Sequence, residues 1–197
     1  MGRMKVLHVC TGRARPTLMN GRRVLTAIAK TAVEGPVDVG PLGLAGDEQA
    51  DLSVHGGLSK AVYAYPSEHL PFWHTVRAQA RVALWEDSLA PGALGENLLI
   101  QGVLEADLWV GDRLVLEGGP RHAGCVLVVS EPRLPCHKFA AAMGFAQAAK
   151  LMTQSGFCGS YLAVLQPGQV AAGDSFTLEP GPREVNLREL FRARARP

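Results

Sequence analysis

The chain has 197 residues, of which 47% are hydrophobic and 19% are charged, and its formal net charge is +2. This composition is typical of one globular domain that forms its core without disulfides or a structural metal. The small net charge does not favour duplex nucleic acid as a partner, which needs a basic surface. The sequence has no apolar run long enough to span a bilayer and no signal-peptide pattern at the N-terminus. We therefore expect a cytoplasmic protein with reduced thiols.

Short segments rich in β-branched residues, separated by glycine and proline, predict strands along most of the chain. The nine predicted strands are residues 5–10, 26–33, 37–42, 60–65, 97–100, 113–116, 125–130, 161–165 and 175–178. Strands and helices do not alternate regularly, which argues against a doubly wound sheet. The pattern predicts a mostly β fold with a few helices, either a barrel or a bent mixed sheet.

Two segments have the spacing of helices. In residues 66–80, Ser67 is a candidate N-cap, and Pro71 indicates a break or a late start. Residues 137–153 carry apolar side chains on one face, and Gly156 lies just beyond the end. We interpret the apolar face of this second helix as core packing.

The segment 131–138, between a predicted strand and a predicted helix, carries the strongest chemical signal. Pro135 is tolerated in a first helical turn, which places Cys136 near the helix N-terminus. The partial positive charge there, with Arg133 and Lys138 nearby, favours a thiolate. A thiolate attacks electrophiles or binds soft metals.

A lone cysteine is more often a buried and inert side chain. That interpretation suits Cys10 and Cys125, which lie on apolar strands, better than Cys136 with its polar and basic neighbours. A cysteine hydrolase is also disfavoured. His137 is adjacent to Cys136 in sequence and badly placed to act as its base, and no third, orienting group is evident.

Three further segments each allow a functional and an ordinary interpretation. Backbone N–H groups of the His55-Gly56-Gly57 loop can form an anion nest, with Lys60 as a matching charge, but a plain loop explains them equally well. Glu96 and Asn97 can relay a proton or orient a ring, although glycine and asparagine are common in turns. Thr11, after the first strand, is either a phosphate contact or part of a turn.

Together, these segments resemble the MOSC domain family, named for the C-terminal domain of molybdenum cofactor sulfurase, and within it the YiiM-like branch. The resemblance extends over nearly the whole chain. The matching motifs are Leu44-x-Gly46-Asp47-Glu48-Gln49-x-Asp51, Val54-His55-Gly56-Gly57, Lys60-Ala61-Val62, Tyr65-Pro66-x-Glu68-His69, Gly95-Glu96-Asn97-Leu98, Gly111-Asp112, Pro132-Arg133-x-Pro135-Cys136-x-Lys138 and Gly156-x-x-Gly159. One motif has little weight, but the ordered set is specific.

The resemblance implies a MOSC-type β-barrel, similar to the pyruvate kinase barrel, over residues 1–182. Residues 183–197 are then a short C-terminal tail in place of the helical extension of the YiiM-like branch. It also implies a molybdenum cofactor, a molybdopterin with one phosphate, whose metal is bound by Cys136. The implied activity is reduction of N-hydroxylated compounds (hydroxylaminopurines, amidoximes and hydroxylamines), with electrons from a partner redox protein.

From this resemblance we expect Cys136, Glu96 and His55 to act in catalysis, with Glu96 as a proton donor. The expected cofactor-binding residues are Thr11, Gly56, Gly57, Lys60, Asn97, Arg133 and Lys138. Two alternatives stay open: a sulfur carrier that forms a persulfide on Cys136, and a module that binds the cofactor without catalysis. Neither a membrane nor duplex nucleic acid is an expected partner.

Overall fold

A computed structural model describes residues 4–19, 21–50 and 56–195 of the chain. Within these ranges the strands form one large sheet and three small ones. The strands are β1 (Lys5–Thr11), β2 (Arg15–Met19), β3 (Arg22–Thr26), β4 (Thr31–Ala32), β5 (Val37–Gly40), β6 (Gly43–Leu44), β7 (Val62–Pro66), β8 (Leu98–Gln101), β9 (Arg113–Leu116), β10 (Gly118–Gly119), β11 (His122–Ala123), β12 (Val126–Pro132), β13 (Ser160–Gln166), β14 (Gly168–Val170) and β15 (Phe176–Glu179). The prediction of a mostly β protein is confirmed.

The large sheet has the strand order β15-β9-β12-β13-β7-β8-β1-β4. Its neighbours are antiparallel, except β7 and β8, which are parallel. The start of β1 also approaches β15, because the Val6 N–H donates to the Asp174 carbonyl (2.9 Å) and the Phe176 N–H donates to the Met4 carbonyl (3.1 Å). The described strands nevertheless do not form a closed barrel, so the barrel stays a prediction.

Seven of the predicted strands are present, with ends that differ by at most two residues from those observed. The strand predicted over residues 26–33 is wrong in its middle, because β3 ends at Thr26 and β4 begins only at Thr31. The strand predicted over residues 37–42 ends early, at Gly40. The hairpin of β2 and β3 was not predicted, although its Asn20-Gly21 pair is a strong turn signal in the sequence.

The observed helices differ from the predicted ones at a proline and at a glycine. A 3-10 turn over Ser67–His69 precedes the first helix, and Pro71 lies in the first turn of that helix, which is the predicted late start. The single helix predicted over residues 137–153 is wrong, because Gly144 adopts a φ of 85° and ends it there. The helices are α1 (Leu70–Gln79), α2 (His137–Met143), α3 (Ala148–Ser155) and α4 (Leu187–Arg194).

Two apolar cores lie on opposite faces of the large sheet. Leu98 and Ile100 of β8 belong to one core, and Leu99 between them belongs to the other, because successive strand side chains point to opposite faces. We call the core with Leu98 and Ile100 the first core and the core with Leu99 the second core. The helices cover the second core with buried side chains, which include Trp73 of α1 and Phe139 of α2. The helices therefore fix the segment between β12 and α2 against the sheet.

Helix α4 falls within the predicted C-terminal tail and packs against both cores, with Leu187 in the first and Phe191 in the second. The Asn186 side chain caps it by accepting from the N–H groups of Arg188 (3.0 Å) and Glu189 (3.2 Å). Leu187 and Phe191 are fully buried. The division into a domain and a tail stays a prediction. In the described ranges, no helix is both long enough and apolar enough to cross a membrane.

We expect replacement of Phe191 by alanine to lower the free energy of unfolding by about 3–5 kcal/mol, because a fully buried aromatic ring leaves a cavity. Urea denaturation measures this. Arg192→Ala, at an exposed position of the same helix, serves as the control and should change stability by less than about 0.5 kcal/mol. Equal stability of the two variants would show that α4 is not part of the folded core.

Candidate functional site

An open cavity lies where the segment after β12 meets the loops that follow β3 and β6. Six of the residues expected from the sequence to form the site line this cavity: Gly56, Lys60, Asn97, Arg133, Cys136 and Lys138. Thr11, Gly57 and Glu96 do not line it. His55 lies outside the described residues.

The four cysteines differ in burial. Cys136 is half-buried and lies at the cavity wall, where it is the N-cap residue of α2 with an extended backbone (φ −132°, ψ 167°). Cys10, Cys125 and Cys158 are fully buried. Burial raises the pKa of both Cys10 and Cys125 to about 12, and it raises the pKa of Cys158 well above the usual value. Of the four sulfur atoms, that of Cys136 is the one a ligand in the cavity can reach.

Arg133 is a buried cation at the cavity wall, with 4% of its surface exposed. Its Nη1 donates to the Leu94 carbonyl (3.1 Å), and its guanidinium lies 4.9 Å from the ring centre of Tyr63 and 5.1 Å from that of Phe139. Burial by itself lowers the pKa of Arg133, but interactions with nearby side chains, Tyr63 first, raise it by more. Within the described ranges, no carboxylate forms a salt bridge with this guanidinium.

Two lysines add positive charge to the cavity. Lys60 ends a 3-10 turn (Leu58–Lys60), and its Nζ lies 3.7 Å from a carboxylate oxygen of Glu131 and 5.8 Å from the ring centre of Tyr161. The Nζ of Lys138 donates to the Leu25 carbonyl (3.2 Å). The cavity thus has cationic side chains on more than one wall.

Asp47 joins three segments of the cavity wall through one buried carboxylate. It accepts from the Gly12 N–H (2.8 Å) and from the Asn97 Nδ2 (2.9 Å), and it forms an ion pair with Lys30. The ion pair is largely buried, so each charge stabilises the other in a site with little water. Asp47 and Lys30 therefore form a neutral, rigid wall.

The amide of Asn97 is fully engaged within the protein. Its Oδ1 accepts from the Tyr63 N–H (3.1 Å), and its Nδ2 donates to the Cys10 carbonyl (3.2 Å) as well as to Asp47. An asparagine amide has two donor hydrogens, and both are used here. Asn97 lines the cavity, but its geometry assigns it to holding the wall.

Glu96 does not line the cavity. Its buried carboxylate accepts from the N–H groups of Gly92 (2.6 Å) and Leu94 (3.0 Å). Burial raises the pKa of Glu96, and the backbone hydrogen bonds and the charge of Arg133 oppose that shift. These contacts stabilise the turn before β8 and do not support the expected role of proton donor.

Gly56, Gly57 and Thr11, the remaining residues expected to bind the cofactor, differ in their position relative to the cavity. Gly56 lines the cavity and, like Gly57, has a positive φ, which explains the pair of glycines. The Gly57 N–H donates to Oε1 of Gln49 (3.2 Å) and not into the cavity. Thr11 pairs with Thr31 at the end of β1. The diglycine motif is therefore only partly available to a ligand.

Sequence reasoning missed several residues of the cavity wall. They are Thr26, Ala27, Ile28, Lys30, Asp47, Glu48, Gln49, Ala50, Tyr63, Gly95 and Tyr161. Asp47, Glu48 and Gln49 were part of a recognised motif but had no assigned role. Tyr63 and Tyr161 lie in segments that the sequence predicted as core strands. Their rings lie side by side because β7 pairs with β13.

This arrangement provides a reachable sulfur atom beside buried and half-buried cations. A sulfur ligand binds a soft metal, and guanidinium and ammonium groups bind a phosphate or another anion. Within the described residues, no cluster of three or more His, Cys, Asp or Glu side chains is arranged to hold a metal ion.

Comparison with known proteins agrees with this architecture. The model of the MOSC domain family matches residues 51–177. YflK of Bacillus subtilis (strain 168), described as uncharacterized, is 34% identical over 89% of this chain and 73% of its own length. YiiM of Escherichia coli (strain K12) is 35% identical over 83% of this chain and 68% of its own length. A protein of Gibberella moniliformis named "Reductase" is 32% identical over 96% of this chain, which spans only 32% of that protein.

Solved structures show the same relationship. The crystal structure of YiiM from Geobacillus stearothermophilus superimposes with a TM-score of 0.74 at 29% identity, over 98% of this chain and 84% of that one. YiiM from Escherichia coli gives 0.68 at 27% identity, over 97% and 76%. The chain belongs to the MOSC domain family. Its relatives in sequence and in structure assign it to the YiiM-like branch.

We expect the native protein to have one thiol that reacts rapidly with 5,5′-dithiobis(2-nitrobenzoate) at about pH 8, and this thiol is Cys136. Cys10 and Cys125, whose pKa values are about 12, are buried and stay protonated at this pH. All four thiols should react in denaturant. Cys136→Ser removes the rapid phase and Cys125→Ala does not. A second thiol that reacts as fast in the native state would contradict the described burial.

Proposed function

We propose that the cavity binds a molybdenum cofactor through Cys136 and that the loaded protein reduces N-hydroxylated compounds. One observation carries the proposal: the half-buried sulfur of Cys136 and the buried guanidinium of Arg133 line the same cavity. The family to which the chain belongs is associated in general with molybdenum cofactor binding. The protein named "Reductase" among the relatives supports a reductive activity.

The donor atoms at the cavity fit such a group. A thiolate is a suitable ligand for a soft metal, and the Cys136 sulfur occupies the cavity wall. The absence of a cluster of protein metal ligands in the described part of the chain also fits, because a pterin dithiolene supplies the other sulfur atoms. Cys136 would therefore be the protein's ligand to the metal.

Three cations would hold the phosphate of the cofactor. Arg133 is buried and forms no salt bridge in the described ranges, so an anion placed beside it gains a strong interaction. Lys60 and Lys138 line the same space. By contrast, Lys30 is engaged with Asp47 and contributes little to an incoming anion.

When bound, the cofactor supplies two-electron chemistry at its metal that removes the oxygen of an N–OH group. The reaction balances as substrate N–OH plus two electrons and two protons giving N–H and water. Electrons would come from a partner redox protein. The chain's own part is to hold the cofactor by Cys136 and the cations, and to keep the wall rigid through Asp47 and Asn97. Water at the open cavity is the simplest source of protons, since Glu96 does not line it and accepts backbone hydrogen bonds.

Replacing Cys136 by serine should abolish bound molybdenum and the reduction of hydroxylamines, because a hydroxyl is a poor ligand for a soft metal. Protein made in cofactor-sufficient cells is measured by elemental analysis for molybdenum per chain. The thermal unfolding midpoint should stay close to the native value, since Cys136 is only half-buried.

Cys125→Ala is the matched control, because Cys125 is buried in the first core and does not line the cavity. It should retain molybdenum. Full molybdenum occupancy in Cys136→Ser would refute the ligand assignment. Cyanolysable sulfur on Cys136 in molybdenum-free native protein would favour the persulfide carrier instead.

Replacing Lys138 by methionine should weaken retention of the cofactor during dialysis by about 3- to 10-fold, since a charge-assisted contact to a phosphate is lost. Lys150→Met removes an exposed lysine that does not line the cavity, and it should have no effect. Molybdenum per chain is followed against dialysis time. Equal retention by the two variants would remove Lys138 from the proposed phosphate contacts.

A further inference from the structure

The carboxylate of Glu131 links the cavity to the C-terminal helix. One of its oxygens lies 3.7 Å from Nζ of Lys60, and the other accepts from Nη1 of Arg194 at 3.2 Å. Lys60 lines the cavity, whereas Arg194 belongs to the last turn of α4. One negative charge is thus shared by a cation of the cavity and a cation from outside it.

The position of Glu131 follows from an irregularity in β12. The register between β12 and β13 shifts between Val129 and Glu131. Such a bulge changes the direction of side chains along a strand. The hydroxyl of Ser130 lies at hydrogen-bonding distance from the carbonyl oxygens of Ser59 and Tyr161, which ties the Leu58–Lys60 turn to this point of the strand. Lys60 and Glu131 are therefore held side by side.

The position of Arg194 follows from the packing of α4. Its N-terminus is capped by Asn186, and Phe191 anchors its last turns in the core. The side chain of Arg194 is 48% exposed, while those of Lys60 and Glu131 are each 23% exposed. A fixed helix thus presents a cation to the carboxylate from the solvent side.

We propose that Glu131 is a positioning residue for Lys60 and that Arg194 sets the strength of its effect. With Arg194 in place, the carboxylate is divided between two cations, and Lys60 keeps more of its attraction for an anion in the cavity. Without Arg194, the carboxylate acts on Lys60 alone and neutralises it. The C-terminal helix in this way raises the affinity of the cavity for an anion. The inference rests on the proposed function, in which the cationic side chains of the cavity bind an anion.

The test is a titration with inorganic phosphate of full-length protein made in cells that cannot synthesise the cofactor. Binding is followed by the NMR shifts of the amides of Gly56 and Gly95, which line the cavity. Arg194→Met should weaken phosphate binding about threefold and Glu131→Gln should strengthen it about threefold, as partly exposed ion pairs have small effects. Arg192→Met removes an exposed charge from the same helix and should bind as the native protein does.

The double variant Glu131→Gln/Arg194→Met separates this link from a general loss of positive charge. It should bind phosphate as tightly as Glu131→Gln, because Arg194 acts only through the carboxylate. High salt should reduce the difference between Arg194→Met and the native protein, which a folding defect would not do. If Arg194→Met weakens binding equally in both backgrounds, the link through Glu131 is wrong.

The outcome also separates this inference from the proposed function. If the native protein binds phosphate and all variants bind it equally well, the cavity is an anion-binding site, and the proposed role of Glu131 is wrong. If the native protein does not bind phosphate at the cavity, both fail. If Arg194→Met binds phosphate more weakly than the native protein, while Glu131→Gln and the double variant both bind it more tightly, both are supported.

Discussion

A guanidinium buried beside a cavity is the physical constraint on which this site depends. Arg133 keeps its charge in almost any protein environment, and removing that charge from water costs free energy unless another group compensates. The described structure compensates with the Leu94 carbonyl, a hydrogen bond to Tyr63 and the rings of Tyr63 and Phe139. The charge of Arg133 also acts on the buried Glu96 carboxylate, with which it forms no salt bridge. An anion in the cavity would add a further favourable interaction with this guanidinium, which is the basis of the proposed anion-binding site.

The rigidity of the site comes from β12 and its neighbours. Strand β12 is paired on both sides, with β9 and with β13, and it ends one residue before Arg133. Cys136 follows three residues later, where α2 begins against the second core. The opposite wall is fixed by the Asp47 carboxylate with its three partners. The sulfur and the cation therefore lie on a short segment that is held at one end by the sheet and at the other by α2.

The sequence predicted seven of the eight strands of the main sheet and grouped Cys136 with Arg133, which do line one cavity, because strand patterns and the strand-to-helix transition are local features. It failed where a single glycine decided the outcome, as at Gly144, which divides the predicted helix in two. It also could not show that Asn97 and Glu96 direct their polar groups into the protein. The orientation of a side chain depends on partners far away in sequence, such as Cys10 for Asn97, and no local pattern contains them.

The central claim is that one cavity brings the Cys136 sulfur and the Arg133 charge to the same bound group. A crystal structure of protein purified with its cofactor, with anomalous data collected at the molybdenum edge, tests this directly. The account predicts a molybdenum peak bonded to the Cys136 sulfur and phosphate density in contact with Arg133. Molybdenum bound elsewhere on the chain, or a pterin that contacts neither residue, would contradict it.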